Sequence, residues 1–247
     1  MFYGDFSGEK KKIFNDSLAS FNKCFKKVYA ADNLITFNRN ITFDQDQSFK
    51  ESFVHNANTP QEKSLKWRAH TLCWAASHCL RIEGDFVECG VYLGFSMSVV
   101  AEYLNFSQQQ KKMYLYDTYE GIPEEYNSES RSNKVYESDP NIFDKVVKKF
   151  KKYKNVIPIK GIVPDSFEIE SPKKIAFLHI DMNSSKSEIA ALEQLFDKVS
   201  TGGIIVFDDF GWFGYTKQAV LEIEWLKKRN HRILELPTGQ GCVIKSK

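Results

Sequence analysis

The sequence contains no apolar run long enough to cross a bilayer, no CxxC pair, no zinc-type Cys/His spacing and no long basic tract. Each absence excludes a class of protein. Without an apolar segment no membrane span is expected, and the start "MFYGDFSGEKKK" has no signal-peptide core, so a cytoplasmic protein is expected. The five cysteines, Cys24, Cys73, Cys79, Cys89 and Cys242, are odd in number and read as reduced thiols of such a compartment. A net charge of +2 with short lysine clusters, Lys10–Lys12 and Lys148–Lys154, lacks the basic face of a phosphate-tracking protein. Solvated helix faces account for the clusters, and no nucleic-acid partner is expected.

Apolar material is ample: 42% of the 247 residues are hydrophobic and 20 are Phe, enough for one large α/β domain with an appendage. Up to about Leu80, "KKIFNDSLASFNKCFKKVYA" and "NTPQEKSLKWRAHTLCWAASHCL" repeat apolar residues at mostly helical intervals. Residues 1–82 are therefore expected to form a helical N-terminal extension, a cap or oligomer contact with no chemical motif of its own. The pattern changes at Gly84. "DFVECGV", "KMYLYD", "VIPIKG", "KIAFLHID" and "GGIIVFDD" alternate with helical stretches, which predicts βαβ units and a parallel sheet over residues 83–247. "HRILELP" and "GCVIKS", joined by "PTGQG", predict an antiparallel edge hairpin. The polar stretch Gly121–Pro140 reads as a long loop, either a functional lid or mobile surface.

In "DFVECGVYLGFSMSVVAEYL" a strand ends at Glu88, Gly90 and Gly94 bracket a turn, and a helix starts near Ser96. Glycines there let a ligand approach the backbone, and the helix N-terminus offers N–H donors. The spacing is G-x-x-x-G, so the dinucleotide fingerprint G-x-G-x-x-G is absent, which argues against NAD and FAD. Glu88 would repel phosphate and suit an ammonium or sulfonium. Asp117, ending "MYLYD", is placed to accept hydrogen bonds from both hydroxyls of a ribose. A ligand that joins ribose to a positively charged, non-phosphate group is S-adenosylmethionine. The alternative is a plain turn above a buried, satisfied Glu88.

Asp181 ends one apolar strand and Asp208 and Asp209 end the next, so neighbouring strands would bring three carboxylates together at the C-terminal edge of the sheet. An all-oxygen set suits Mg²⁺, which lowers the pKa of a substrate hydroxyl so that a nearby carboxylate can remove its proton. The alternative is that one Asp of the pair, or Asn183, caps a helix. His179, alternating with apolar neighbours, reads as a satisfied core histidine. Trp212 and Phe213 read as core aromatics rather than site walls.

In this order, "FVECGVYLGFS", "LYDTYEGIP", "FLHIDMN", "TGGIIVFDDFGWFG" and "LPTGQG" resemble the macrocin O-methyltransferase (TylF-type) family from about Gly84 to Lys247. The resemblance implies a Rossmann-like class I methyltransferase fold, with a seven-stranded, mostly parallel sheet whose last strand is antiparallel. It implies S-adenosylmethionine-dependent, Mg²⁺-assisted methylation of a hydroxyl, typically on a sugar: a nucleotide-activated sugar, a glycan in polysaccharide biosynthesis or a glycosylated natural product. Glu88, Gly90, Val91, Tyr92, Gly94, Ser96, Asp117, Thr118, Gly161 and Asp181 are the implied cofactor contacts. Asp181, Asp208 and Asp209 are the implied metal ligands, with Asp181 also the candidate general base. Many members carry a second aspartate where this chain has Asn183, and no histidine lies in Gly121–Pro140 to replace it. A homodimer is expected. Two other readings compete: a nicotinamide-dependent sugar-nucleotide oxidoreductase, which would need the missing glycine fingerprint, and a noncatalytic nucleoside-binding module, in which the carboxylates should have been lost.

Overall fold

The computed structural model describes residues 7–247; residues 1–6, part of the expected extension and of the amino-terminal segment, lie outside the described residues. The chain opens with α1 (Gly8–Cys24), a hairpin of β1 (Val28–Ala31) and β2 (Leu34–Phe37), then α2 (Gln47–Asn56), α3 (Pro60–Ser64) and α4 (Lys66–Cys79). There follow β3 (Asp85–Cys89), α5 (Phe95–Tyr103), β4 (Met113–Asp117), α6 (Lys134–Glu137), α7 (Ile142–Phe150), β5 (Val156–Lys160) and β6 (Ile175–Ile180). The last part holds α8 (Ser185–Leu195), β7 (Val199–Phe207), α9 (Thr216–Lys227), β8 (Leu234–Glu235) and β9 (Gly241–Ile244).

Seven strands form one sheet in the order β5-β4-β3-β6-β7-β9-β8. β3 to β7 run parallel to one another, and β9 runs antiparallel to both β7 and β8, as the "PTGQG" turn predicts. β3, β4 and β6 are covered on both faces, which is why their sequences are continuous apolar runs instead of alternating ones. One face is packed by α2, α4, α5 and α7, with Phe49, Leu72, Met97 and Val146 joining Phe86 and Phe177 in a single buried cluster. The other face carries α8 and α9 through Leu192, Leu195, Trp225 and Leu226. In α7, Ile142, Val146 and Phe150 are buried four residues apart while Lys148 and Lys151 face water, the solvated face expected of that lysine cluster. All five cysteines are free. No described helix is long and apolar enough to cross a membrane.

The N-terminal segment differs from the helical expectation by the hairpin. Asp32 and Asn33 at its turn have φ of 52° and 55°, the paired positive angles of a tight two-residue connection, which Asp and Asn tolerate better than other non-glycine residues. "VYAA" and "LITF" on either side pair in register from Val28↔Phe37 to Ala31↔Leu34. The hairpin carries Asp32 inward, where the site needs it.

Between α8 and α9 lies a pair of fully buried carboxyls, Glu188 and Glu222. Glu188 Oε1 accepts the Met182 N–H at 3.1 Å, whereas its Oε2 and both Glu222 oxygens have no donor among the described residues. Burial raises Glu222 to about 7, and burial with the facing Glu222 raises Glu188 well above the usual range. The folded chain thus keeps a proton that the unfolded chain, at about 4.5, has lost. Stability should fall as pH rises from about 4.5 to about 7, by at most about 1.4 kcal/mol per unit for one proton. Glu222→Gln should match the parent near pH 4.5 and exceed it at pH 8 in urea unfolding; an equal difference at both values would contradict the shared proton.

Candidate active site

A cavity of about 880 Å³ opens along the C-terminal ends of β3, β4, β6 and β7, where open α/β sheets place ligands. Val91, Tyr92, Ser96, Thr118, Gly161 and the expected metal ligands Asp181, Asp208 and Asp209 all line it, as do Gly90 and Asp117. Glu88 and Gly94 do not.

The glycine turn follows from close packing of protein on protein, which corrects the expected reason for the glycines. Gly90 has φ +89°, and a Cβ there would lie 1.9 Å from the Asp181 carbonyl oxygen. Gly94, φ +69°, caps α5, and a Cβ there would lie 2.7 Å from the Phe150 ring. Both positions therefore exclude side chains whether or not a ligand is bound. No side chain caps α5, so its first N–H groups at Phe95 and Ser96, both in the cavity wall, keep no side-chain acceptor.

Asp117 is also corrected in part. Its Oδ2 accepts from the Val91 and Tyr92 N–H groups at 2.7 and 2.8 Å, and Oδ1 from the Tyr119 N–H at 2.6 Å. The carboxylate braces the glycine turn against β4, and with Thr118 Oγ1 also donating to Oδ1 at 3.4 Å both oxygens already serve the protein, which weakens the expected grip on two ribose hydroxyls. Glu88, expected to face an ammonium or sulfonium, lies under the turn, 1% exposed, with Oε1 2.9 Å from His179 Nδ1. His179 is fully buried, and its Nε2 stands 3.6 Å from Asp208 Oδ1, too long for a hydrogen bond. Burial disfavours its charge, but Asp208 and Glu88 outweigh burial and raise it to about 10. His179 is the buried core histidine expected, hydrogen-bonded to Glu88 through Nδ1, and the two carboxylates that face its ring favour its protonated form.

The three expected metal ligands do meet: Asp181, Asp208 and Asp209 offer oxygens all within 4.8 Å of one another. The parallel register Ile180↔Phe207 sets this up, since each aspartate follows directly on those paired strand ends. Periodicity gave no sign of their partner, Arg68 on α4. Its Nη1 donates to Asp208 Oδ2 at 2.5 Å and Asp209 Oδ1 at 2.9 Å, while Nε donates to Asp32 Oδ2 at 2.7 Å. Trp212 stacks on the guanidinium at 4.8 Å and lines the cavity. Burial raises Asp208, yet Arg68 and His179 overcome it and hold Asp208 below the usual carboxylate range. Gln240 Nε2 adds a hydrogen bond to Asp208 Oδ1 at 2.9 Å. Asp181 has no such partner. Burial, then Asp208 and Asp209, push its carboxyl well above the usual range.

The loop 121–140 lies over the cavity as a docked segment. Ser184 Oγ donates to the Tyr126 carbonyl at 2.7 Å, Ser185 Oγ to Glu129 at 2.5 Å, and Lys217 pairs with Glu129 at 3.2 Å. Asn183 adopts φ +57° and leaves its Oδ1 buried with no donor among the described residues. Ser184, not Asn183 or an aspartate, is the residue that caps α8. Phe213, expected in the core, is 98% exposed.

Solved structures with the same architecture are methyltransferases. The O-methyltransferase NovP matches with a TM-score of 0.60 and 19% identity, over 73% of this chain and 80% of its own. The SAH-bound methyltransferase PaMTH1 of Podospora anserina matches at 0.57 and 12%, over 99% and 100%. The calicheamicin methyltransferase CalS11 matches at 0.55 and 12%, over 85% and 95%. The seven-stranded sheet with its antiparallel strand near one edge is thus the class I methyltransferase fold. The profile of the macrocin-O-methyltransferase (TylF) family matches residues 68–236, more than half the chain, and the chain belongs to that family of S-adenosylmethionine-dependent O-methyltransferases. No curated protein matches by sequence.

Removing the guanidinium while keeping the stem tests how the site is held. Arg68→Met leaves Asp32, Asp208 and Asp209 without their cation and should cost about 3–5 kcal/mol in chemical unfolding. Arg68→Lys, a point charge without the planar fork, should recover only part of that loss. A loss below about 1 kcal/mol in Arg68→Met would show the carboxylates to be neutralised otherwise.

Proposed function

We propose that the chain transfers the methyl group of S-adenosylmethionine to a sugar hydroxyl, with a divalent cation, Mg²⁺ first, held by Asp181, Asp208 and Asp209. The observation that carries the reading is the Asp181 carboxylate in the cavity wall, beside Asp208 and Asp209 and with no hydrogen-bond donor of its own among the described residues. CalS11, one of the structural relatives, is described as a TDP-rhamnose 3′-O-methyltransferase, which supports a sugar acceptor.

The residues present fit such a cation. Asp32, Glu88, Asp181, Asp208 and Asp209 are five carboxyl groups in contact with, or beside, two basic side chains among the described residues, Arg68 and His179, so acidic groups outnumber basic ones at the site and a bound cation would balance them. The donors are all oxygens, the preference of Mg²⁺. When bound there, the cation would supply Lewis-acid polarisation of the acceptor hydroxyl. The cofactor would supply an electrophilic methyl carbon. Asp181 is positioned to take the hydroxyl proton, and Arg68 and Gln240 hold Asp208 in a fixed orientation at the site. The first N–H groups of α5 suit the cofactor carboxylate, and Val91, Tyr92, Thr118 and Gly161 line the rest of its path. The loop 121–140 keeps water from the reacting atoms. Within the N-terminal segment, residues 7–82 would form the acceptor cap and a homodimer contact over the methyltransferase unit 83–247.

Asp181→Asn preserves shape and has no salt bridge to break. Methyl transfer from labelled cofactor to a panel of sugar nucleotides and glycosides should fall at least about 100-fold, the usual scale for losing a general base. Binding of S-adenosylhomocysteine should change no more than a few-fold. Turnover that survives in Asp181→Asn would overturn the assignment of the base.

A further inference from the structure

The cavity wall contains a cation that the methyl-transfer reading leaves unused. Arg131, on the loop 121–140, lines the cavity, and no carboxylate pairs with it among the described residues. Its position is fixed from both ends. The backbone N–H donates to Asn127 Oδ1 at 2.7 Å and the carbonyl accepts from Asn127 Nδ2 at 2.8 Å. The guanidinium lies 3.8 Å from the centre of the Tyr215 ring, and Nη2 donates to the Gly214 carbonyl at 2.7 Å.

A latch between loop and α9 would need no more than the ring and that one carbonyl. It does not account for Nε, which is buried with no acceptor. Nε lies too deep for a cavity ligand to reach, but Nη1 makes no hydrogen bond among the described residues, so the guanidinium keeps an edge open to a ligand that brings oxygens. An arginine edge suits phosphate or carboxylate oxygens best. The rest of the cavity is acidic, with Glu62, Asp117, Asp181, Asp208 and Asp209 in its wall and Arg68 already consumed by three aspartates. An anionic group entering there is therefore directed to Arg131. One residue before Gly214, Phe213 presents a 98% exposed ring just outside the cavity lining, between the lining residues Trp212 and Gly214. Nucleobases stack on such rings with about 1–3 kcal/mol each.

We infer that Arg131 holds the diphosphate of the acceptor and Phe213 its base, so that the sugar methylated by this chain is a nucleoside diphosphate sugar. The inference rests on the proposed sugar-hydroxyl reading and narrows its acceptor class.

The test is calorimetric, on the full chain with S-adenosylhomocysteine, titrated with inorganic pyrophosphate and separately with UDP and dTDP. The parent should bind both diphosphate types. Arg131→Gln should weaken pyrophosphate and nucleoside diphosphates at least about tenfold, with Arg131→Lys in between, and leave S-adenosylhomocysteine within a few-fold. Phe213→Ala should weaken UDP or dTDP and spare pyrophosphate. Loss of S-adenosylhomocysteine binding in Arg131→Gln would assign the arginine to the cofactor carboxylate and overturn the inference, as would parent protein that binds no diphosphate. Absence of S-adenosylhomocysteine binding in the parent would instead refute the methyltransferase reading of the cavity. Thermal melts of each variant separate a lost contact from a lost fold: an Arg131→Lys protein that melts like the parent yet binds pyrophosphate as Arg131→Gln does still supports the fork, whereas unchanged binding in both variants overturns it.

Discussion

One guanidinium holds the site and the N-terminal segment in the same place. Arg68 is 6% exposed, and its two edges are divided between Asp32 from the hairpin turn and Asp208 and Asp209 from the end of β7. A charge buried this deeply is tolerable only when paired, and each aspartate in turn depends on it. The consequences reach outward in both directions. Toward the sheet, Asp208 is held ionised and oriented, with His179 and Gln240 on its other oxygen. Toward the N-terminus, the hairpin is held by its turn, through an Asp with φ 52° that places the carboxylate where Nε can reach it.

That arrangement also explains why the carboxylates divide into two kinds. Asp208 and Asp209 are committed to Arg68, whereas Asp181, one strand over, has neighbours of its own charge and no ion pair among the described residues. A general base must be free to take a proton, and a committed carboxylate is not. The same logic distinguishes the two arginines of the cavity: Arg68 belongs to the scaffold, and Arg131 retains an edge for something else.

The fold was largely legible because buried parallel strands leave continuous apolar runs and their crossover helices leave periodic ones, as "KIAFLHID" and Ile142–Phe150 illustrate. The meeting of Asp181 with Asp208 and Asp209 followed from strand adjacency alone. What stayed hidden depended on contacts distant in sequence. Arg68 lies 140 residues before Asp208 on a helix whose apolar residues set the visible pattern, so a lone arginine within it carried no signal. The hairpin was signalled by "DN" between two β-prone stretches, but these were only four residues each beside long helical runs. His179 read as core because its neighbours are apolar, and it is buried; what that pattern could not show is that Glu88 and Asp208 face its ring. The glycines were singled out for ligand approach, whereas the Asp181 carbonyl and the Phe150 ring already require them.

The central claim is that Arg68 couples the hairpin turn to the carboxylate site. A double-mutant cycle of Asp32→Asn and Asp209→Asn, read by urea unfolding, measures it directly, because the two carboxylates share the guanidinium and no hydrogen bond joins them among the described residues. The account predicts a coupling of at least about 1 kcal/mol between them. Effects that add to within about 0.3–0.5 kcal/mol would show the two ends of Arg68 to be independent and would contradict it.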